Sequence, residues 1–129
     1  MVNIPNQISA ITLFVNDIDR AKSFYQLAFD LPVYYEDSDS VVFKFESTLI
    51  NLLKDTQASG LLAPILVVPN SQGQQVLLTV TVIDVDAEYE RLISKGIKVV
   101  SGPIDQPWGI RTLIFTDPDG HCWELAHKI

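Results

Sequence analysis

The stretch Leu13-Phe14-Val15-Asn16-Asp17-Ile18-Asp19 returns later in the chain as Val80-Thr81-Val82-Ile83-Asp84-Val85-Asp86. Val15, Asp17 and Asp19 meet Val82, Asp84 and Asp86, each at an offset of 67 residues. An internal repeat constrains a fold more than any single element does, because each copy must build the same local unit. Both stretches read as a strand running into a capped helix. Ile11, Leu13 and Val15 alternate with Ala10, Thr12 and Phe14, which gives two faces at period two. The aspartates supply side-chain oxygens to the unpaired N–H groups of a first helical turn.

The rest of each copy follows the same plan. Ala21, Phe24, Tyr25 and Ala28 form an apolar stripe, and Pro32 is expected to stop that helix. In the second copy the stripe is Val85, Tyr89, Leu92 and Ile93, closed by Lys95-Gly96 with glycine as the left-handed cap. Strand-like segments follow near 33–36, 41–45 and 49–54 in the first copy. Those of the second lie near 98–101, 110–116 and 122–127, and Asp117-Pro118-Asp119-Gly120 turns between the last two. The chain therefore reads as one domain over 1–129, with module one at about 8–54, a linker at about 55–75 and module two at about 76–127. The linker holds Gly60, Pro64, Pro69 and Gly73, and so reads as mostly irregular. Its apolar run from Leu61 to Val68 is expected to pack on something, the rim of a pocket or another chain.

A length of 129 residues with 47% hydrophobic and 19% charged residues suits one soluble domain with a real core. No apolar run reaches the roughly 18 residues of a membrane span, and the start MVNIPNQISA lacks the pattern of a secretory leader. Cys122 is the single cysteine, so no internal disulfide can form, and a cytoplasmic setting is expected. Nine lysines and arginines are scattered through a chain of net charge −7. Nucleic acid needs a basic stripe and is not expected as a partner. The negative charge serves solubility or favours a cationic ligand.

Three motifs together resemble the glyoxalase/bleomycin resistance protein/extradiol dioxygenase superfamily, the vicinal oxygen chelate fold. They are Val15-x-Asp17-Ile18-Asp19, the later Phe24-Tyr25, and the closing Phe115-Thr116-Asp117-Pro118-Asp119-Gly120-His121-Cys122-Trp123-Glu124-Leu125. The likeness runs from about Ile8 to His127, and Pro107-Trp108-Gly109-x-Arg111 is similar to its drug-binding and unassigned branches. It implies an α+β fold in which two βαβββ modules form a curled mixed sheet around a cavity, usually within a homodimer. Metal-dependent members place ligands on the first and fourth strand of each module. Carried over, those positions are Ala10, Asn51, Leu77 and Glu124. Alanine and leucine cannot ligate, and asparagine offers one weak neutral oxygen, so the expectation is no metal and no cofactor.

Parity and the simplest hairpin register, Thr116 opposite His121, would put Arg111, Leu113 and Glu124 on one cavity face. The candidate ligand-binding residues are then Trp108, Arg111, Glu124, Phe14, Asn51 and Leu113. Glu124 reads as a ligand anchor, a general base, or a relic neutralised by Arg111 or water. Trp108 stacks on a planar ligand or covers the cavity end, and Phe14 serves the ligand or the core. Cys122 reads as a small apolar residue, and His121 and His127 as surface histidines. The functional expectation is metal-free binding or sequestration of a small organic molecule. The alternatives are a lyase-, isomerase- or transferase-type enzyme with Glu124 as acid or base, and a divalent-metal glyoxalase-type enzyme with atypical ligands.

Overall fold

The computed structural model describes residues 6–129, so the first residues of the stretch read above for a leader lie outside it. Module one comprises β1 (Ala10–Val15), α1 (Ile18–Phe29), β2 (Tyr35–Glu36), β3 (Ser40–Phe45) and β4 (Thr48–Lys54). The linker carries a short helix, α2 (Ala58–Leu62), between two single 3-10 turns. Module two repeats the plan with β5 (Leu77–Thr81), α3 (Val85–Ser94), β6 (Val99–Asp105), β7 (Ile110–Thr116) and β8 (Cys122–Lys128).

The two sheets have the same order, β1-β4-β3-β2 and β5-β8-β7-β6. In each, the first strand runs parallel to the fourth, and the other pairs are antiparallel. Among the described residues no ladder joins the sheets, and β1 and β5 each stand at the edge of their sheet.

The repeated aspartates cap their helices as the sequence requires. Asp17 accepts from the Arg20 N–H at 3.1 Å, and Asp84 accepts from those of Asp86 and Ala87. α1 stops earlier than Pro32 dictates, because Asp30 takes the left-handed conformation (φ 53°) and closes the last turn on the Gln26 carbonyl. α3 ends as expected, with Gly96 at φ 77°. Its apolar stripe is narrower than the sequence suggests: Val85 and Leu92 are buried, whereas Ile93 is exposed.

One shared core lies between the modules. Leu13, Val15, Ile50 and Leu52 of the first sheet and Leu113, Phe115, Trp123 and Leu125 of the second belong to it, with Ala21, Tyr25 and Ala28 of α1 and Leu92 of α3. The Tyr25 ring meets Trp123 edge-on at 5.9 Å, and Phe29 lies 4.8 Å from Trp123. α1 has no basic residue in its last turn, and Arg91 of α3 supplies that charge from the other module. Its guanidinium donates to the Ala28 and Leu27 carbonyls at 2.6 and 3.3 Å, where a cation offsets the helix C-terminal dipole.

A buried polar network completes the junction. The Asp117 carboxylate, 4% exposed, accepts from the Tyr25 hydroxyl at 2.6 Å, from His121 Nδ1 at 2.8 Å, and from the Asp119 and His121 N–H groups. Trp123 Nε1 in turn donates to the Tyr25 oxygen at 3.0 Å. Burial, then the Asp117 charge, pushes the Tyr25 hydroxyl far above the ordinary phenol range, so it stays a donor. His121 is therefore a core residue and not the surface histidine its turn position suggested. His127 is likewise engaged: its Nδ1 accepts the Val85 N–H at 2.8 Å, at the start of α3.

Candidate functional site

Because the core side of each sheet faces the other module, residues of the opposite parity point outward. On module one these are Ala10, Thr12 and Phe14 of β1 and Leu49, Asn51 and Leu53 of β4. On module two they are Leu77, Thr79 and Thr81 of β5, Cys122, Glu124 and Ala126 of β8, and Thr112 and Ile114 of β7.

The repeat places equivalent groups at equivalent registers. Thr12 pairs with Asn51, and Thr79 pairs with Glu124. In module two, the Thr79 hydroxyl donates to Glu124 Oε1 at 3.0 Å. In module one, Asn51 Nδ2 lies 3.4 Å from the Thr12 hydroxyl, a long contact. The Asn51 carbonyl oxygen is buried and has no partner among the described residues. Such an atom costs free energy unless a donor reaches it. Each outer face therefore presents a threonine beside a group that can still accept: a neutral amide on one, a carboxylate on the other.

The linker makes the two faces unequal. Ser59 of α2 and the segment 67–70 gather around Phe14 and leave a hollow of about 310 Å³. Asn70 donates through its amide to the Phe14 carbonyl at 2.9 Å, on the free edge of β1. Phe14 is half-buried and lines this hollow. The apolar run of the linker is nevertheless left open in this chain, with Leu66 91% exposed.

Two candidates fall away from Glu124. The loop after β7 holds five residues, so Thr116 pairs with Cys122 and not with His121. This one-residue shift moves Arg111 and Leu113 to the opposite face. Leu113 is fully buried in the core. Arg111 forks onto Asp86 through Nε and Nη2, both at 3.0 Å, and reaches Asp105 at 2.9 Å. The Arg111 hydrogen bonds hold the Asp86 carboxyl below the usual range. Trp108, in the turn between β6 and β7, is 67% exposed and free to contact a ligand.

Sequence reasoning missed a hollow of about 590 Å³ that lies between the modules. Ile11, Ile50, Leu78, Val80 and Trp123 line it, with Lys44 and Glu46 and, across the edge strand β5, Thr79 and Thr81 among its polar residues. It is the open end of the shared core, bordered by the free edge of β5. Alternation alone gave no signal for it, because it depends on how two separately legible sheets meet.

The residues at the family's metal positions do not fit a metal. Ala10 and Leu77 carry no donor atom, and Asn51 offers one weak neutral oxygen, which leaves Glu124 as the single carboxylate. Among the described residues no three His, Cys, Asp or Glu side chains gather where an ion could sit.

Comparison with known proteins agrees with the fold. A family model described as the Glyoxalase/Bleomycin resistance protein/Dioxygenase superfamily matches residues 7–125. An uncharacterized Bacillus subtilis protein, YraH, is 30% identical over 119 residues, covering 89% of this chain and 93% of that protein. An uncharacterized Mycobacterium bovis protein is 40% identical over 57 residues, 44% of this chain; the match spans only 38% of that longer relative. The crystal structure of a glyoxalase/bleomycin resistance protein/dioxygenase from Nocardioides superposes with a TM-score of 0.82 at 23% identity, covering 100% of this chain and 87% of that one. At that identity the likeness speaks for the fold alone. No helix among the described residues is long and apolar enough to cross a membrane.

Proposed function

Since the chain belongs to the glyoxalase/bleomycin resistance protein/dioxygenase superfamily, we propose that it binds a small organic molecule on the outer sheet faces without a metal. The observation that carries this reading is the unmet hydrogen-bonding capacity of the two matched pairs, above all the buried Asn51 oxygen. A small-molecule site needs apolar walls and a few placed polar groups. On module one Phe14 and Leu53 supply walls beside Asn51 and Thr12; on module two Ile114 stands beside Glu124 and Thr79. Trp108, exposed in the turn between β6 and β7, offers an aromatic face on which a planar ligand can stack.

A second copy of the chain is the expected partner. β1 and β5 leave two free strand edges beside an apolar cleft, and such edges invite pairing. Leu61, Ile65, Leu66 and Val68 add exposed apolar surface. Cys122, free and half-buried, suits the reducing cytoplasm.

A thermal-shift screen of small organic molecules tests the binding reading, since a ligand at 100 times its dissociation constant adds about 2.7 kcal/mol. Metal analysis of the purified protein runs beside it. One equivalent of zinc, iron, nickel or manganese at Glu124 would overturn the metal-free part. A light-scattering mass near 14.4 kDa at micromolar concentration would remove the homodimer.

A further inference from the structure

We infer that the module-two face selects a compact organic cation, an ammonium or amidinium group carried on an apolar body. This deepens the binding reading above and rests on it. Glu124 is a half-buried carboxylate that receives one hydrogen bond, from Thr79, out of about four it can accept. Among the described residues its second oxygen, Oε2, has no hydrogen-bond or ion-pair partner.

No cation of its own sheet stands beside it, and Lys44 of the other module, which shares a hollow with Thr79 and Thr81, makes no ion pair to it and lies over the Tyr34 ring at 5.5 Å. On its own strand the outward neighbours are Cys122, Ala126 and Lys128; on β7 they are Ile110, Thr112, Ile114 and Thr116; on β5 they are Leu77, Thr79 and Thr81. Lys128 alone is charged. It is exposed and sits four residues along the strand, about 13 Å away at the rise of an extended chain. Arg111, the cation expected here from sequence, lies on the other face and is saturated by Asp86 and Asp105.

A ligand that covers Glu124 removes its water. An unpaired carboxylate under such cover is costly, a neutral donor compensates in part, and a cation with N–H donors compensates best. An anion is repelled both locally and by the net charge of −7. Module one is the internal control: the same register holds neutral Asn51 and confers no such preference.

The test titrates the full chain with 2-phenylethylamine, 2-phenylethanol and phenylacetate at neutral pH, following backbone amide resonances. These probes share a ring and differ in charge. The amine should bind at least about tenfold tighter than the alcohol, as hydrogen bonds to charged groups allow. It should shift Thr79, Glu124 and Ala126, and phenylacetate should leave them still. Glu124→Gln should bring the amine down to the affinity of the alcohol. Equal binding of amine and alcohol to the unaltered protein, which needs no variant, overturns the cation proposal and leaves the binding reading standing. An amine preference that survives in Glu124→Gln also overturns the proposal. If none of the three probes moves an outer-face resonance at millimolar concentration, the binding reading falls with it.

Discussion

The two modules share a plan, and their last hairpins differ in length and direction. In module one, β3 and β4 join through Glu46 and Ser47, an exposed two-residue turn in which Glu46 sits at φ 51°. In module two, β7 and β8 join through the five residues 117–121. That loop turns inward, and Asp117, bonded to His121, meets Tyr25 of the other module. The repeat thus sets the common scaffold, while the longer loop couples the halves. It also resets the register that decides which side chains share a face with Glu124. Divergence within a repeat shows where one copy has acquired work the other does not do.

The largest effect should come from the inward loop. Asp117→Ala leaves the Tyr25 hydroxyl and two backbone N–H groups buried without their acceptor. The expected cost is about 3–5 kcal/mol, the range for breaking a buried pair by removing one partner. Urea unfolding followed by Trp123 fluorescence measures it. The matching perturbation in module one, Glu46→Gly, should leave stability unchanged or raise it by up to about 1 kcal/mol, because glycine relieves the left-handed backbone. Similar losses at both hairpins would erase the contrast.

Next is the packing that belongs to β6 alone. Gly102 holds φ 87°, and a Cβ there would stand 2.4 Å from the Thr112 carbonyl oxygen and 2.9 Å from the Leu113 Cα. Those atoms are backbone and cannot swing aside. Gly102→Ala should cost about 2–3 kcal/mol, from overpacking added to a strained dihedral. A midpoint unchanged in denaturant would show that β6 can move away from β7.

Arg91→Ala tests the coupling from the other direction. It removes the donors to Leu27 and Ala28 and the cation at the end of α1, and it frees Glu88 from its ion pair. Since the Arg91 side chain is about a third exposed, the loss should be near 1–2 kcal/mol. Arg91→Lys should recover less than half of it, because one ammonium cannot reproduce the fork. If the two modules unfold separately in Arg91→Ala, the coupling is weaker than Asp117 and Arg91 together imply.

Much of this was legible in sequence, for reasons particular residues make plain. Asp17 and Asp84 cap helices through local hydrogen bonds, so their role needs no tertiary knowledge. Strand parity grouped Phe14 with Ala10 and Thr12 and gave Asn51 and Glu124 matching places, because alternation is a backbone property; it read those faces as cavity walls, whereas they point away from the shared core. Arg111 was lost because a hairpin register depends on loop length. Asp117 accepts the His121 N–H across a five-residue loop, and its other oxygen takes the Tyr25 hydroxyl from the other module, a contact no local pattern shows. His121 was misplaced for the same reason. The cleft beside Ile11 and Val80 was invisible because period-two patterns do not say how two sheets meet.

The smallest expected effect lies on the same loop, at its outer side. Asp119 accepts the Asn16 N–H at 2.9 Å and so ties the end of β1 to the β7–β8 loop. Partial burial raises its carboxyl above the usual range, with the Asp117 charge a lesser cause. A carboxyl whose folded pKa is raised stabilises the fold below its unfolded value, near 3.9, and that contribution is lost as pH rises through the folded value. At neutral pH the ionised Asp119 therefore works against folding. Asp119→Asn keeps an oxygen for Asn16 and removes the charge. It should raise the melting temperature slightly at pH 7, and the gain should shrink to nothing as pH approaches 4. The group is largely solvated, so screening limits the gain to at most about 0.5 kcal/mol. Paired melts of both proteins from pH 4 to 8 measure the difference. A gain that grew toward acid would mean that Asp119 is held by a favourable partner, and that both sides of this loop, not one, bind the modules together through charge.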